Sequence, residues 1–224
     1  MVRSRQSWKV HVLRVVAAVV VAVVTLAGVW VAGGLVTNSF TGSAIATGVW
    51  FALSGIAVLA LAIRYTPVRW AVAGAYLLTA LTVSAYLGWS MLNDRVVDEP
   101  VVVGTPAGQS PAPGGNVEEV AGTFRDGEHD TEGRAAVVRM PDGRRVVTLT
   151  RFSTSAGPDL RVRLVPGGGD DGGAAGAHDL GALKGNRGDQ QYDVPPEARV
   201  RGASVVIWCR AFSATFGTAD LAAA

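Results

Sequence analysis

VVAAVVVAVVTLAGVWVAGGLVTNSFTGSAIATGVWFALSGIAVLALAI, residues 15–63, contains no charged side chain. A helix that crosses the hydrocarbon core of a bilayer needs about 20 apolar residues, so this run holds two crossings and a turn. The turn is VTNSFTG, Val36–Gly42, polar and helix-breaking. The pattern predicts helices over Val12–Leu35 and Ser43–Ile63. Arg64-Tyr-Thr-Pro67-Val-Arg69 follows as a short loop, and a third apolar helix is expected over Trp70–Leu92.

Charge is distributed to match. Residues 1–93 carry Arg3, Arg5, Lys9, Arg14, Arg64 and Arg69 and no acid, a balance of +6. Residues 94–120 carry −4, and residues 121–224 are neutral overall. By the positive-inside rule the basic N-terminus and the Arg64/Arg69 loop stay in the cytoplasm, and the acidic stretch after Leu92 lies outside. Trp30, Trp50, Trp70 and Trp89 fall near span ends, where amphipathic rings settle. The expectation is a multi-pass protein of the cytoplasmic membrane, N-terminus inside and C-terminal domain outside. The first span is longer than a signal-peptide core and lacks a small-x-small cleavage site before the turn.

Across the whole chain, 49% of the 224 residues are hydrophobic and 17% are charged. A nucleic-acid partner is excluded, because the cations flank apolar runs instead of gathering on one soluble face. Proton-relay and transport chemistry need ionisable groups within the bilayer, and the three spans have none. Haem held between the helices needs axial His or Met ligands. The spans contain no His, and Met91 sits at a span end. The glycines within them, such as Gly28, Gly55 and Gly74, suit close helix packing. The helices therefore read as an anchor with the lipid bilayer as partner.

Residues 93–120 (NDRVVDEPVVVGTPAGQSPAPGGNVEEV) read as a Pro/Gly-rich flexible linker, since such composition buries too little to fold. Residues 121–224 alternate apolar and polar residues in short runs separated by Gly and Pro. Strands are expected near Ala121–Arg125, Arg134–Met140, Arg145–Phe152, Asp159–Val165, His178–Leu183, Gln190–Val194, Ser204–Arg210 and Ser213–Gly217. Asp142-Gly143 supplies a tight turn, and PGGGDDGGAAGA, 166–177, a long flexible loop. Seven or eight strands in about 104 residues make an all-β domain, a β-sandwich or barrel.

Within it, GEHDTEG (127–133), DGRRVVTLTRFSTSAGPDLRVRLVP (142–166), DLGALKGNRGDQQYDVP (179–195) and SVVIWCRAFSATFGTADL (204–221) occur in order. This series resembles the DM-thirteen family, described as an electron-transfer domain of extracellular and membrane-anchored proteins in animals and bacteria. The resemblance covers nearly all of 121–224 and none of the membrane half. It implies a membrane-anchored electron-transfer module with an extracytoplasmic electron donor or partner. It also places the family's cysteine on Cys209.

Cys209 is the single cysteine, which excludes an intrachain disulfide and any multi-cysteine metal cage. Strand alternation puts it on a wholly apolar face with Val205, Ile207 and Ala211, while Val206, Trp208 and Arg210 face the other way. Two readings stand. Cys209 is a redox thiol or metal ligand, or it is an inert buried thiol in a non-catalytic binding or adhesion module. His129, His178 and Met140 complete with Cys209 the ligand types of a blue-copper centre, although the four are dispersed; the plain alternative for each His is a solvated loop. No cofactor is named by the sequence, and no Ser-His-Asp arrangement supports a hydrolase. Asp159 is expected to cap the turn after Gly157-Pro158, and Lys184-Gly185-Asn186 to be a turn and not a phosphate loop. Asp170-Asp171 lacks EF-hand spacing. Phe152, Tyr192, Trp208, Phe212 and Phe216 are assigned to the core or its rim.

Overall fold

The computed structural model describes residues 2–109 and 114–223, so Ser110–Pro113 of the expected linker and the terminal Ala224 lie outside the described residues. The chain divides into two compact units, Met1–Trp89 and Ser90–Ala224.

The first unit is three helices, α1 (Val2–Gly34), α2 (Phe40–Arg64) and α3 (Arg69–Leu92). α1 begins well before the expected Val12, because nothing between Val2 and Val12 breaks a helix. Ser39 caps α2, its hydroxyl accepting from Gly42 N at 3.4 Å. The loop Tyr65–Val68 separates α2 from α3. The apolar stretches Ser7–Gly34, Phe40–Arg64 and Arg69–Leu92 are 28, 25 and 24 residues long, enough to cross a membrane by length and composition. At 1.5 Å rise the shortest spans about 36 Å against a core of about 30 Å. Leu53, Ile56, Ile63, Leu78 and Leu81 point outward. In water that surface would be costly, whereas hydrocarbon solvates it. α1 and α2 are joined by Trp50 Nε1 donating to Thr25 O at 3.0 Å. The Trp50 indole lies against Gly28, where a side chain would collide with it. Tyr76 OH on α3 donates to Phe51 O, and Arg14 Nε to Pro67 O at 2.7 Å.

The second unit is all-β. Its strands are β1 (Thr105–Pro106), β2 (Val117–Asp126), β3 (Thr131–Arg139), β4 (Arg145–Thr154), β5 (Leu160–Val165), β6 (His178–Ala182), β7 (Arg187–Val194), β8 (Ser204–Cys209), β9 (Ala214–Asp220) and β10 (Ala222–Ala223). Eight form one antiparallel path, β6-β5-β8-β9-β2-β3-β4-β7, while the two-residue β1 and β10 both pair with β2. The sheet is nearly closed and barrel-like. β2 makes the turn: Val117–Thr123 pair with β3, and Phe124–Asp126 pair with β9. The core is Val137, Val147, Leu149, Phe152, Val162, Leu164, Val205, Ile207 and Phe216, each at most 2% exposed. All eight expected strands are present. Gly143 (φ +85°) makes the β3–β4 turn, and Asp142 Oδ1 accepts from Arg144 N at 3.0 Å.

Residues 94–103 of the stretch read as a free linker run beside β7, with Val96 bridged in parallel to Arg187. Acidic side chains in this stretch find partners far away in sequence, Glu99 on Lys184 and Asp94 on Arg187. The glycine-rich 166–177 segment forms turns, with Gly172 and Gly173 against the Trp208 ring.

Candidate functional site around Cys209

Cys209 ends β8, opposite Leu160 on β5 and Ala214 on β9. It is fully buried, on the inward face that the alternation predicts. Its thiol donates to Pro158 O at 3.0 Å. Burial pushes the thiol up to about 12. The Phe212 and Ala211 backbone N–H groups, aimed at the sulfur, pull the other way; the Asp159 and Glu128 carboxylates add to the rise. At neutral pH the sulfur is protonated, and a thiol is nucleophilic only as thiolate.

Segments distant in sequence meet here. Gly157-Pro158-Asp159 forms a turn with Asp159 at φ +56°, and Ser213 after β8 has φ +48°. Such angles cost energy in residues with a Cβ, and they cluster at ligand clamps and active sites. Asp159 does not cap its own turn. Its carboxylate accepts from Arg210 Nε at 2.6 Å, and its carbonyl from Arg210 N at 3.1 Å. The pair locks the turn over the thiol and neutralises Arg210. From the β2–β3 turn, Glu128 N donates to Thr215 O at 2.9 Å. The His129 ring stacks on Phe216, 3.9 Å between centroids and 24° between planes. Burial lowers His129 below its ordinary pKa, against the upward pull of Glu128 and Asp130. In front of the turn, Gly157, Asp159 and Leu160 face Leu183–Asn186 across a polar cavity of about 200 Å³. Cys209 does not line it.

The four candidate copper ligands do not converge. His178 pairs with Leu164, four positions along β5 from the residue opposite Cys209, or about 13 Å along the strand. Met140 sits at the β3–β4 turn, its N–H donating to Arg144 O. His129 is engaged with Phe216. Among the described residues no group of three or more His, Cys, Asp or Glu is placed to hold a metal ion. The donor set therefore does not fit a copper centre in this geometry.

Asp171 Oδ1 accepts from Gly173 N at 2.9 Å, a local turn bond. Phe152, Tyr192, Phe212 and Phe216 are buried and Trp208 is half-buried, with Arg163 over its ring at 5.2 Å. The sequence reading missed the Asp159–Arg210 lock, because strand alternation sends Arg210 away from the thiol. It also missed Lys184, which is no mere turn residue: its ammonium binds both Glu99 oxygens and Gln191 O, each at 2.8 Å.

No curated protein and no solved structure matches the chain. A family model does match, over residues 123–221, that of Electron transfer DM13. It covers the end of β2, the strands β3 to β9 and every segment gathered around Cys209, and residues 123–221 of this chain are accordingly a DM13 domain.

Proposed function

We propose that the chain is a membrane-anchored electron-transfer module, its DM13 domain held outside the cytoplasmic membrane, with Cys209 as the redox centre. The observation that carries this reading is the convergence of the family-matched segments 127–133, 157–160 and 208–216 on one sulfur. Two N–H groups, from Ala211 and Phe212, aim at that sulfur and offset part of what burial costs an anion there. The strained Asp159 and Ser213 backbones flank it. Three apolar helices supply the anchor. The cations at Arg64 and Arg69 and the acids from Asp94 onward favour an outside β domain.

A second reading rests on an observation of its own. The thiol is fully buried, bonded to Pro158 O and protonated at neutral pH, which suits a structural cysteine in a binding module. Protein-film voltammetry on the purified full chain and on Cys209→Ala, with elemental and visible-absorption analysis of both, separates the two. A redox wave present in the wild type and lost in a folded Cys209→Ala chain supports the electron-transfer centre at Cys209. A wave that survives the substitution moves the centre elsewhere, and the absence of any wave, metal or chromophore leaves the binding module. Protease added outside spheroplasts tests the placement, and a C-terminal domain that resists it while the Arg64–Arg69 loop is cut reverses the orientation.

A further inference from the structure

We propose that β7 and the Lys184–Gly188 loop form a groove for an extended acidic segment, filled here by residues 94–103 of the same chain, and that this segment docks and undocks. β7 and β6 are the two ends of the strand path, and an unpaired edge is a template for another extended chain. The segment uses it as one. Val97 N donates to Arg187 O and Glu99 N to Asp189 O, both at 2.9 Å, and Arg187 N returns a bond to Arg95 O at 3.3 Å. Side chains and one backbone N–H read the acids. Lys184 takes Glu99 at both oxygens, Gln191 N donates to Glu99 Oε2 at 3.1 Å, and Asp94 is shared by Asn186 Nδ2 at 2.8 Å and Arg187 at 3.1 Å. The loop is shaped for an occupant. Gly188 has φ +99° and lies so close to Val97 O that a side chain would collide with it; a Cβ on Gly185 would fall 2.6 Å from Arg95 O.

The same contacts make the docking reversible. Val96 and Val103 are 70% and 76% exposed, Val97, Val101 and Val102 are only half-buried, and the Glu99–Lys184 pair is partly solvated. Segments held this way open at low free energy while the core stays closed. Undocking releases ten residues between Leu92 and β1, up to about 35 Å of chain at 3.3–3.6 Å per residue. The groove therefore sets the free length of chain between Leu92 and β1.

Hydrogen exchange on the full-length chain in detergent, comparing wild type with Glu99→Gln and Lys184→Ala, tests this. The expected result is wild-type protection at the Val97 and Glu99 amides, weaker than that of Ser204–Cys209. Each variant should exchange about tenfold faster at those two amides, with Ser204–Cys209 unchanged. Free-chain exchange of 95–102 in the wild type would mean an empty groove and overturn the proposal. Core-like protection in all three chains, or loss of protection in segment and core together, would make the segment a permanent strand and overturn it as well.

Discussion

Alkylation of the folded chain with iodoacetamide decides what Cys209 can do. The reagent attacks thiolate, and two features withhold it: complete burial behind Pro158 and a thiol pushed up to about 12. At pH 8 a group titrating near 12 is about 1 part in 10⁴ ionised, whereas a denatured cysteine titrating near 8.5 is about one-quarter ionised. Ionisation alone therefore slows labelling about two-thousandfold, before access is considered. The assay is the labelling rate of the full-length chain in detergent, native and in denaturant, followed by mass. The wild type should label at least about a thousandfold more slowly when folded. Native labelling within about tenfold of the denatured rate, with Ser204–Cys209 still protected from exchange, would refute the reasoning. The Asp159–Arg210 lock would then be no lock, and the sulfur would be open to partners at rest. Arg210→Ala gives the complementary result: removing the 2.6 Å bond to Asp159 loosens the turn and raises native labelling toward the limit that ionisation alone allows.

Cys209→Ser should cost on the order of 1–3 kcal/mol in chemical denaturation, because it puts a hydroxyl, costlier to desolvate than a thiol, into a fully buried site between Leu160 and Ala214, and Cys209→Ala should cost less; an equal or smaller loss for Ser would mean that the hydroxyl takes over the thiol's bond to Pro158 O. His129 has a folded pKa below its unfolded one, so the neutral ring is favoured in the folded domain. Its contribution is complete above the ordinary histidine pKa and declines as pH falls below it, and the melting temperature should show this slope in the wild type and lose it in His129→Gln. Glu99 is held below the usual carboxylate range, chiefly by the hydrogen bond from Lys184. Docking of 94–103 is therefore intact above that range and lost as pH falls through the lowered pKa, and hydrogen exchange of Val97 should accelerate in acid for wild type and stay flat with pH, beyond the intrinsic rate, for Glu99→Gln.

Period-two alternation is clearest in β5, where buried and half-buried residues alternate from Leu160 to Leu164, and the Asp142-Gly143 turn marked a hairpin outright. β1 and β10 escaped because two residues carry no period. The spans were legible from length and charge, apart from the start of α1, where no breaker marks an end. At the site, the burial of Cys209 followed from its neighbours at Val205 and Ile207. Its bond to Pro158 O did not, because a backbone carbonyl leaves no trace in side-chain pattern. Docking of 94–103 was hidden for a related reason. Composition reports how much a segment can bury, whereas this one is held by polar pairs such as Glu99–Lys184 that only the folded sheet brings together.

The double duty of β2 bears on how the domain is made. Its first half pairs with β3, the next strand in the chain, but Phe124–Asp126 pair with β9, so Phe124 has no ladder partner until Ala219 exists. Closure thus waits until β9 has been made, and pairings this distant in sequence form slowly. Until then the growing chain exposes the edge of β2 at Phe124 and the apolar faces of β4 and β5, at a stage when the three N-terminal helices have already been made. Such half-built sheets are the species most prone to wrong pairing between neighbouring chains. A chaperone that shields strand edges would act in this interval, and a substitution that weakens the β2–β9 ladder would lower yield before it lowered the stability of the finished domain.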